Sequence, residues 1–491
     1  MSKTKTLRIV LFVSMAYCAL GVAGAVAAEN SASDSKQPPN VLFIFADDMT
    51  FDGIHALGNG EVQTPNLDRL VARGTTFRYA YNQGAWHGAV CVASRTMINT
   101  GRFLWHAKAA EGRLGRELEE GRIWSAIMDR AGYDTYFSGK WHVKLDARKA
   151  FDFVGNVRPG MPNQTKAGYN RPLEGQDDPW SPYDTKFGGF WKGGKHWSEV
   201  LGDVGSSFLA QAGQCERPFF MYLAFNAPHD PRQSPKRFVD RYPLDKVAVP
   251  ENFLPQYPHA KAAGCPWGLR DERLAPMPRT PHSVKVHRQE YYAIITHMDE
   301  QIGRLLDALD KTGKAENTYV FFTADHGLAV GHHGLMGKQN MYDHSLRVPL
   351  VVVGPDVSKN ERLDAPVYLQ DIMPTSVELA GAEVPDYVQF QSLAPLWRGQ
   401  RDQSYEAIYG AYKDRQRAVI DDGWKLILYP TVSVARLYHV AEDPLEMKDL
   451  ADQPEQLERM RRLFGKLQEL QKETGDQLDL ATAFPKLVTV D

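Results

Sequence analysis

The sequence predicts an α/β protein with one large β-sheet flanked by helices and a smaller α+β region at its carboxyl end. Three observations carry this. Continuous apolar runs at residues 40–46 (NVLFIFA), 218–225 (PFFMYLAF) and 318–323 (TYVFFT) have the length and lack of alternation of strands buried on both faces. Between them lie segments with apolar residues at helical spacing. Beyond about residue 400, short strands separated by turn residues read as an antiparallel sheet. At 491 residues the chain exceeds what one core usually supports, and its 43% hydrophobic and 24% charged content is that of a folded chain.

Residues 1–28 read as a secretory signal: Lys3, Lys5 and Arg8 open it, residues 9–26 are apolar or small, and Ala25-Val26-Ala27-Ala28 offers small-residue cleavage positions. The Ala-x-Ala end and the polar run at 29–37 argue against a retained anchor. The expectation is an exported chain, periplasmic or extracellular, with no stable membrane anchor after cleavage. Cleavage removes three basic and no acidic residues, so the formal net charge of −3 becomes more negative, which points away from nucleic acid as partner. Cys18 leaves with the signal. Of Cys91, Cys215 and Cys265, the last two either pair in an oxidising compartment or stay as thiols, and Cys91 is the odd residue.

Residues 40–46 end in Asp47-Asp48, so a buried strand delivers two carboxylates at its carboxyl end, where α/β sheets bind ligands. Such a turn suits calcium or magnesium, although adjacent aspartates are equally at home in a solvated loop. Residues 64–74 are punctuated as a helix by Thr64 as N-cap, Pro65 in the first turn and Gly74 past the end. Trp86-His87 leads to Cys91-Val92-Ala93-Ser94-Arg95, and residues 96–101 look like the rest of a short helix with Cys91 near its amino end. Backbone donors there favour an anion, and Arg95 lies one turn along. Residue chemistry leaves Cys91 two readings, a small buried hydrophobe or a thiolate nucleophile.

Ile123, Trp124, Ile127 and Met128 mark a helix stopped at Gly132, and a strand at 134–138 runs into Gly139-Lys140-Trp141-His142. In extended backbone Lys140 and His142 point to one side. Residues 154–195, rich in Gly, Pro, Asn, Trp and Tyr, read as a functional loop. Its Trp180, Tyr183, Trp191 and Trp197 stack on sugar rings or pack beneath the loop, and Asn163-Gln164-Thr165 fits a glycosylation sequon. Residues 218–225 end in Pro228-His229-Asp230-Pro231, where two prolines hold His229 stiffly, as suits a general acid. Residues 242–281 are irregular. Residues 287–311 form an amphipathic helix with Tyr291, Ile294, Ile295, Met298 and Ile302 on one face. Residues 318–323 end in Asp325-His326, followed by His332-His333, Lys338 and a strand at 348–353. Three buried strands thus each close on Asp or His. Strands at 405–412, 417–420, 424–429 and 436–440 and a helix at 454–474 complete the chain.

The motif Cys91-x-Ala-Ser-Arg95 resembles the signature of type I sulfatases, in which the cysteine is oxidised after synthesis to formylglycine. Together with Asp47-Asp48, Lys140-x-His142, His229, Asp325-His326 and Lys338, in this order, it resembles the sulfatases of the alkaline phosphatase superfamily from about residue 40 into the carboxyl-terminal region. The resemblance implies an alkaline phosphatase-like fold with a large mixed sheet, a catalytic domain at 38–400 and a carboxyl-terminal subdomain at 401–491. It implies that Asp47, Asp48 and Asp325, with residue 91, bind one divalent cation, calcium in most relatives and magnesium as the lesser alternative. His326 takes the fourth protein-ligand position, where relatives often carry Asn, and imidazole is an unusual partner for an oxygen-loving ion.

Residue 91 would then act as a hydrated aldehyde. One oxygen attacks sulfur while the ester oxygen departs in line, and the second hydroxyl lets the aldehyde re-form and expel sulfate. Arg95, Lys140 and Lys338 would neutralise developing charge, His142 would take the diol proton and His229 would protonate the leaving alkoxide. Ala93 stands where many members have Pro. The partner implied is a formylglycine-generating or anaerobic sulfatase-maturating enzyme, and the substrate expected from export and aromatic loops is a sulfated carbohydrate, an algal polysaccharide fragment or glycosaminoglycan. His87, Asp230 and Arg232 are candidate substrate contacts because they neighbour catalytic positions. Two rival readings are a phosphate or phosphonate ester hydrolase on the same fold and a catalytically silent carbohydrate-binding homologue that keeps the Cys91 thiol.

Overall fold

The structure, a computed structural model, describes residues 37–158, 160, 165–188 and 191–488. The signal-like residues 1–28 and Asn163-Gln164 of the sequon lie outside the described residues. The main sheet is built from β1 (Asn40–Asp47), β2 (Thr75–Phe77), β3 (Asp134–Lys140), β4 (Phe153–Arg158), β5 (Phe219–Pro228), β6 (Thr318–Ala324), β7 (Leu350–Val353) and β8 (Glu361–Leu363). Their spatial order is β8-β2-β7-β6-β1-β5-β3-β4. The three apolar runs are therefore the three central strands, which is why none alternates with polar residues. β6, β1, β5, β3 and β4 are parallel, whereas β7 runs antiparallel to β6 and β2 antiparallel to β7, so the sheet is mixed. Parallel pairing has one decisive result for the site: the carboxyl ends of β1, β3, β5 and β6 share one edge.

Helices cover both faces. α1 (Pro65–Arg73), α2 (Val90–Thr100), α3 (Trp124–Arg130), α4 (Trp197–Gly213), α5 (Pro281–Lys311) and α6 (Leu457–Thr474) are the principal ones. Trp124 of α3 packs on Phe43, Phe220 and Tyr222, with ring centroids 5.2, 4.7 and 5.9 Å away. Leu223 points the other way, as alternation requires, and meets Gly205 of α4 beside Leu305 of α5.

Four expectations need correction. Residues 153–158, read as loop, form the edge strand β4; an edge strand with partly exposed sides lacks the continuous apolar run that marks the central ones. α5 begins at Pro281 rather than 287, because Thr280 and Ser283 form a reciprocal capping box. Thr64 does not cap α1: its hydroxyl donates to Asp68 at 3.1 Å, and the free amides of Asn66 and Leu67 donate instead to Asp299 on α5, at 3.1 and 2.7 Å. The stretch 348–353 is interrupted at Pro349; Arg347–Val348 pairs with Ala80–Tyr81 in a separate small sheet. Of the two alternatives left open for Cys215 and Cys265, the structure shows free thiols at both.

β9 (Ile408–Tyr412), β10 (Gln416–Asp421), β11 (Trp424–Tyr429) and β12 (Val434–His439) make the expected antiparallel sheet. Leu463, Phe464 and Leu467 of α6 are buried in one cluster with Val419 and Leu426. A fifth strand comes from far away in sequence: Gly84–Ala85 pairs in parallel with β9. Gly84 has φ +93°, and a Cβ there would lie 2.0 Å from the Ala411 carbonyl oxygen, so only glycine permits this approach. Among the described residues, no helix is long and apolar enough to cross a membrane.

Candidate active site

Each strand of the shared edge contributes one functional group. Asp47 ends β1, and Asp48 follows at φ +69°, held by the Tyr291 hydroxyl of α5, which donates to its carbonyl at 2.8 Å. Lys140 ends β3. Gly139 before it has φ +107°, and a Cβ there would lie 1.9 Å from the Ala224 carbonyl oxygen; the register with β4 shifts at this point and swings Lys140 over the edge onto Asp47. His142 does not continue an extended backbone. It has φ +52°, and this turn, rather than strand alternation, brings its Nδ1 to 3.1 Å from Cys91 Sγ. Gly160 lies against the His142 ring where any Cβ would collide.

Cys91 is the second residue of α2 and is 1% exposed. Burial alone raises its thiol, but Lys140, His142 and Lys338 outweigh this and bring it well below the ordinary value. One turn on, Arg95 is wholly buried across the ends of three strands. Its Nε donates to Asp325 at 2.9 Å, Nη1 to the Lys140 carbonyl at 2.7 Å, and Nη2 lies 3.5 Å from Asp47. Lys338 donates to both oxygens of Asp48, at 2.8 and 2.9 Å. Three carboxylates and three cations are thus packed together out of solvent, as buried charges must be. Burial raises the carboxyls of Asp47 and Asp48. Burial would raise Asp325 too, but His326, Arg95 and Lys140 hold it below the usual carboxylate range.

The donors fit a hard divalent cation. Asp47, Cys91, Asp325 and His326 each offer an atom within 4.8 Å of the others, and Asp47, Asp48 and His229 form an overlapping group. His326 Nδ1–H donates to the Gly327 carbonyl oxygen at 2.9 Å, so Nε2 is the atom left to take a second proton or to face a cation; burial opposes the charged ring, but Asp325 and Asp48 outweigh this and raise its pKa. That Nε2 faces Asp48 at 3.2 Å and Asp325 at 3.5 Å. Two carboxylates beside that nitrogen call for positive charge there, a proton on the ring or a cation between the three groups. Asp47 Oδ1, His326 Nε2 and His229 Nε2 are all buried with no hydrogen-bond partner among the described residues. Three carboxylates and an imidazole are an oxygen-dominated ligand set.

His229 is buried, with Nδ1 2.6 Å from the Asp230 carbonyl oxygen and Nε2 3.8 Å from Asp48. Burial, then Lys338, Lys140 and Arg270, push its pKa well below the ordinary histidine value. The three candidate substrate contacts are dispersed. His87 is part-exposed and lines, with His142, Trp141, Lys144 and Arg158, a cavity of about 530 Å³ that opens beside α2. Asp230 is buried under Arg270, and Arg232 is buried against His287 at 3.1 Å and over the Tyr291 ring. Most loop aromatics pack: Trp180 stacks on Phe187 with centroids 4.6 Å apart, and Arg158 lies over Trp197.

Sequence reasoning missed a supporting layer. Arg270 bridges Asp230 and Asp271; Asp271 accepts from Gln339 at 2.7 Å, next to Lys338. Burial would raise Asp271, yet Lys338 and Arg270 bring it to about 2. Arg270 and Asp271 come from the irregular stretch 242–281, where no periodicity announces them.

Residues 39–382 match the sequence profile of the family described as Sulfatase, and residues 331–473 match the one described as N-sulphoglucosamine sulphohydrolase, C-terminal. An N-acetylglucosamine-6-O-sulfatase of Bacteroides thetaiotaomicron is 25% identical, with 91% of this chain and 88% of that protein covered. A ulvan-active sulfatase of Formosa agariphila is 25% identical over 90% of this chain and 83% of its own. Among solved structures, one in complex with its substrate D-glucosamine-2-N,6-O-disulfate superposes with a TM-score of 0.69 at 23% identity, covering 90% of this chain and 99% of that one.

Proposed function

The chain belongs to the sulfatase family, and we propose that it hydrolyses sulfate esters of carbohydrates at a centre where Cys91 is converted to formylglycine and one calcium ion is held. Residues 38–400 are read as the catalytic part, residues 401–491 as a subdomain, and residues 1–28 as the export signal. The observation that carries the reading is the setting of Cys91: a buried thiol at the start of α2, grouped with Asp47, Asp325 and His326 and contacted by His142. A structural thiol has no use for three buried carboxylates and three buried cations. The carbohydrate reading is supported by the sugar sulfates named for the relatives, and by a part-exposed cavity lined with Trp141, His142 and cationic side chains.

The cation would be held by Asp47, Asp48, Asp325 and His326, and when bound it supplies positive charge that favours an ionised oxygen beside it. Formylglycine, once made by a maturating enzyme, supplies an oxygen nucleophile where Sγ stands. The chain's own groups do the rest. His142 Nδ1, in contact with residue 91, accepts the nucleophile's proton. Arg95, Lys140 and Lys338 lie where negative charge on the sulfate group collects, and exclusion of water makes their fields strong. His229 points an unpartnered Nε2 into the same space and holds the proton that the departing alkoxide needs; it must therefore be the imidazolium when the ester is bound, and the ester's negative charge acts against the burial and the Lys338, Lys140 and Arg270 fields that lower its pKa.

Peptide mass spectrometry across Cys91, on protein made with and without a maturating enzyme, tests the centre. The reading expects sulfate release to rise in proportion to the formylglycine fraction and to vanish in Cys91→Ala. Full activity with an unmodified thiol would overturn it.

A further inference from the structure

A second cleft lies on the other side of Trp86. It measures about 730 Å³ and is walled by the short helix Leu104–Ala110, by the turn between β9 and β10 and by residues 475–478 after α6, with Trp86, Trp105, Lys108, Lys413, Arg417 and Asp476 in its lining. Its acids are neutralised: Asp476 pairs with Arg417 at 2.6 Å, and Asp414 at the rim pairs with Arg415 at 3.2 Å. Its two lysines are not. Lys108 Nζ lies over the Trp105 ring at 5.2 Å and Lys413 Nζ over the Tyr412 ring at 5.3 Å, and neither has a carboxylate partner among the described residues. Two indoles, Trp86 and the half-buried Trp105, add aromatic surface to the same lining.

Aromatic surface and two unpaired ammonium groups are the features that recognise an anionic sugar: ring C–H groups against an indole and a sulfate against the lysines. The cleft also adjoins the reaction centre. Trp86 lines it, the next residue His87 lines the cavity shared with His142, and the two rings meet edge-on with centroids 5.6 Å apart. We propose that this cleft is a distal subsite that binds a second sulfated sugar of the same oligosaccharide, so that the protein acts on chains in preference to single sugars. The proposal rests on the carbohydrate sulfatase reading above. Lys413 is placed by β9, whose partner is the Gly84–Ala85 segment immediately before Trp86, so the two walls of the cleft are built as one unit.

The test uses full-length protein with Lys108→Ala/Lys413→Ala, since both side chains reach solvent and neither supports the core; Trp105→Ala is less suitable because its indole donates to Tyr409 at 2.8 Å. Two readouts keep the subsite separate from the reaction. In Cys91→Ser background, calorimetry measures binding of heparan sulfate, carrageenan and ulvan tetrasaccharides and of glucosamine 6-sulfate. With Cys91 intact, sulfate release gives kcat/KM on the same compounds. With two rim charges removed, the double variant should weaken the best-bound tetrasaccharide about tenfold and leave the monosaccharide within about twofold. Unchanged tetrasaccharide binding, or an equal loss on the monosaccharide, would overturn the subsite even if sulfate release is normal. Loss of tetrasaccharide binding in the lysine variant, with no sulfate released by any form, would uphold the subsite and refute the sulfatase reading.

Discussion

His229 carries the sharpest prediction at the level of single residues. A sugar alkoxide is a poor leaving group that needs a proton as it departs, whereas an aryl oxide does not. His229→Ala should therefore lower kcat/KM on a sugar sulfate by about a hundredfold or more, and on an aryl sulfate by much less. Equal losses on both substrates would remove His229 from that role. Lys140 is a charge wholly out of solvent, paired with Asp47. Deleting it leaves the buried Asp47 with Arg95 alone, 3.5 Å away, and Lys140→Ala should lower the unfolding free energy of chelator-treated protein by about 3 kcal/mol. Urea titration reads this directly, and a loss below about 1 kcal/mol would mean that the carboxylates are not held by the cations as described. Asp47-Asp48, Cys91, Lys140, His229 and Asp325-His326 were all legible in the sequence, because each sits within two residues of a strand end or helix start that local patterning identifies. Arg270, Asp271 and Gln339 were not. Their contacts span tens to hundreds of residues; the segment of Arg270 and Asp271 has neither period nor motif, and Gln339, although next to Lys338, carries no charge to mark it.

Among the elements, glycine positions set how the edge of the sheet is shaped. Gly139 allows β3 to close on β5 at the point where Lys140 leaves the sheet. A Cβ at 1.9 Å from a backbone oxygen cannot be accommodated by a rotamer change, so Gly139→Ala must displace the strand end. The expected outcome is sulfate release reduced at least about tenfold with far-ultraviolet circular dichroism unchanged. Unaltered activity would show that Lys140 needs no such positioning. α5 explains why its start was misread. Apolar periodicity marks the face toward the sheet from Tyr291 onward, while its first turns carry only Val284 and Val286, two apart and so without helical spacing, and begin on the Thr280–Ser283 box. Thr280→Ala should cost about 1 kcal/mol in chemical denaturation, and no change would deny the cap its part. β4 was missed for a related reason: buried strands announce themselves by composition, and half-exposed edge strands do not.

On the scale of the whole molecule, the sequence order of the motifs maps onto one edge because the central strands are parallel. That is why the fold class could be read from three apolar runs, and why the same runs located the site. The borrowed strand Gly84–Ala85 could not be read. Two residues have no periodicity, and their partner lies more than three hundred positions away. A chain that gathers three carboxylates into its interior should also depend on a cation for stability. Removing divalent ions with a chelator should lower the melting temperature, and added calcium should restore it in a concentration-dependent way; a melting temperature indifferent to both would exclude a bound ion at this centre.

The central claim, that the centre around residue 91 cleaves sulfate rather than phosphate esters of sugars, is tested most directly by the anion released. Matured protein would be given glucosamine 6-sulfate and glucosamine 6-phosphate side by side, with larger sulfated oligosaccharides in parallel, and the inorganic products measured by ion chromatography. Sulfate release abolished by Cys91→Ala, with little phosphate, is the predicted result. Phosphate as the dominant product, or sulfate release that survives the substitution, would contradict it.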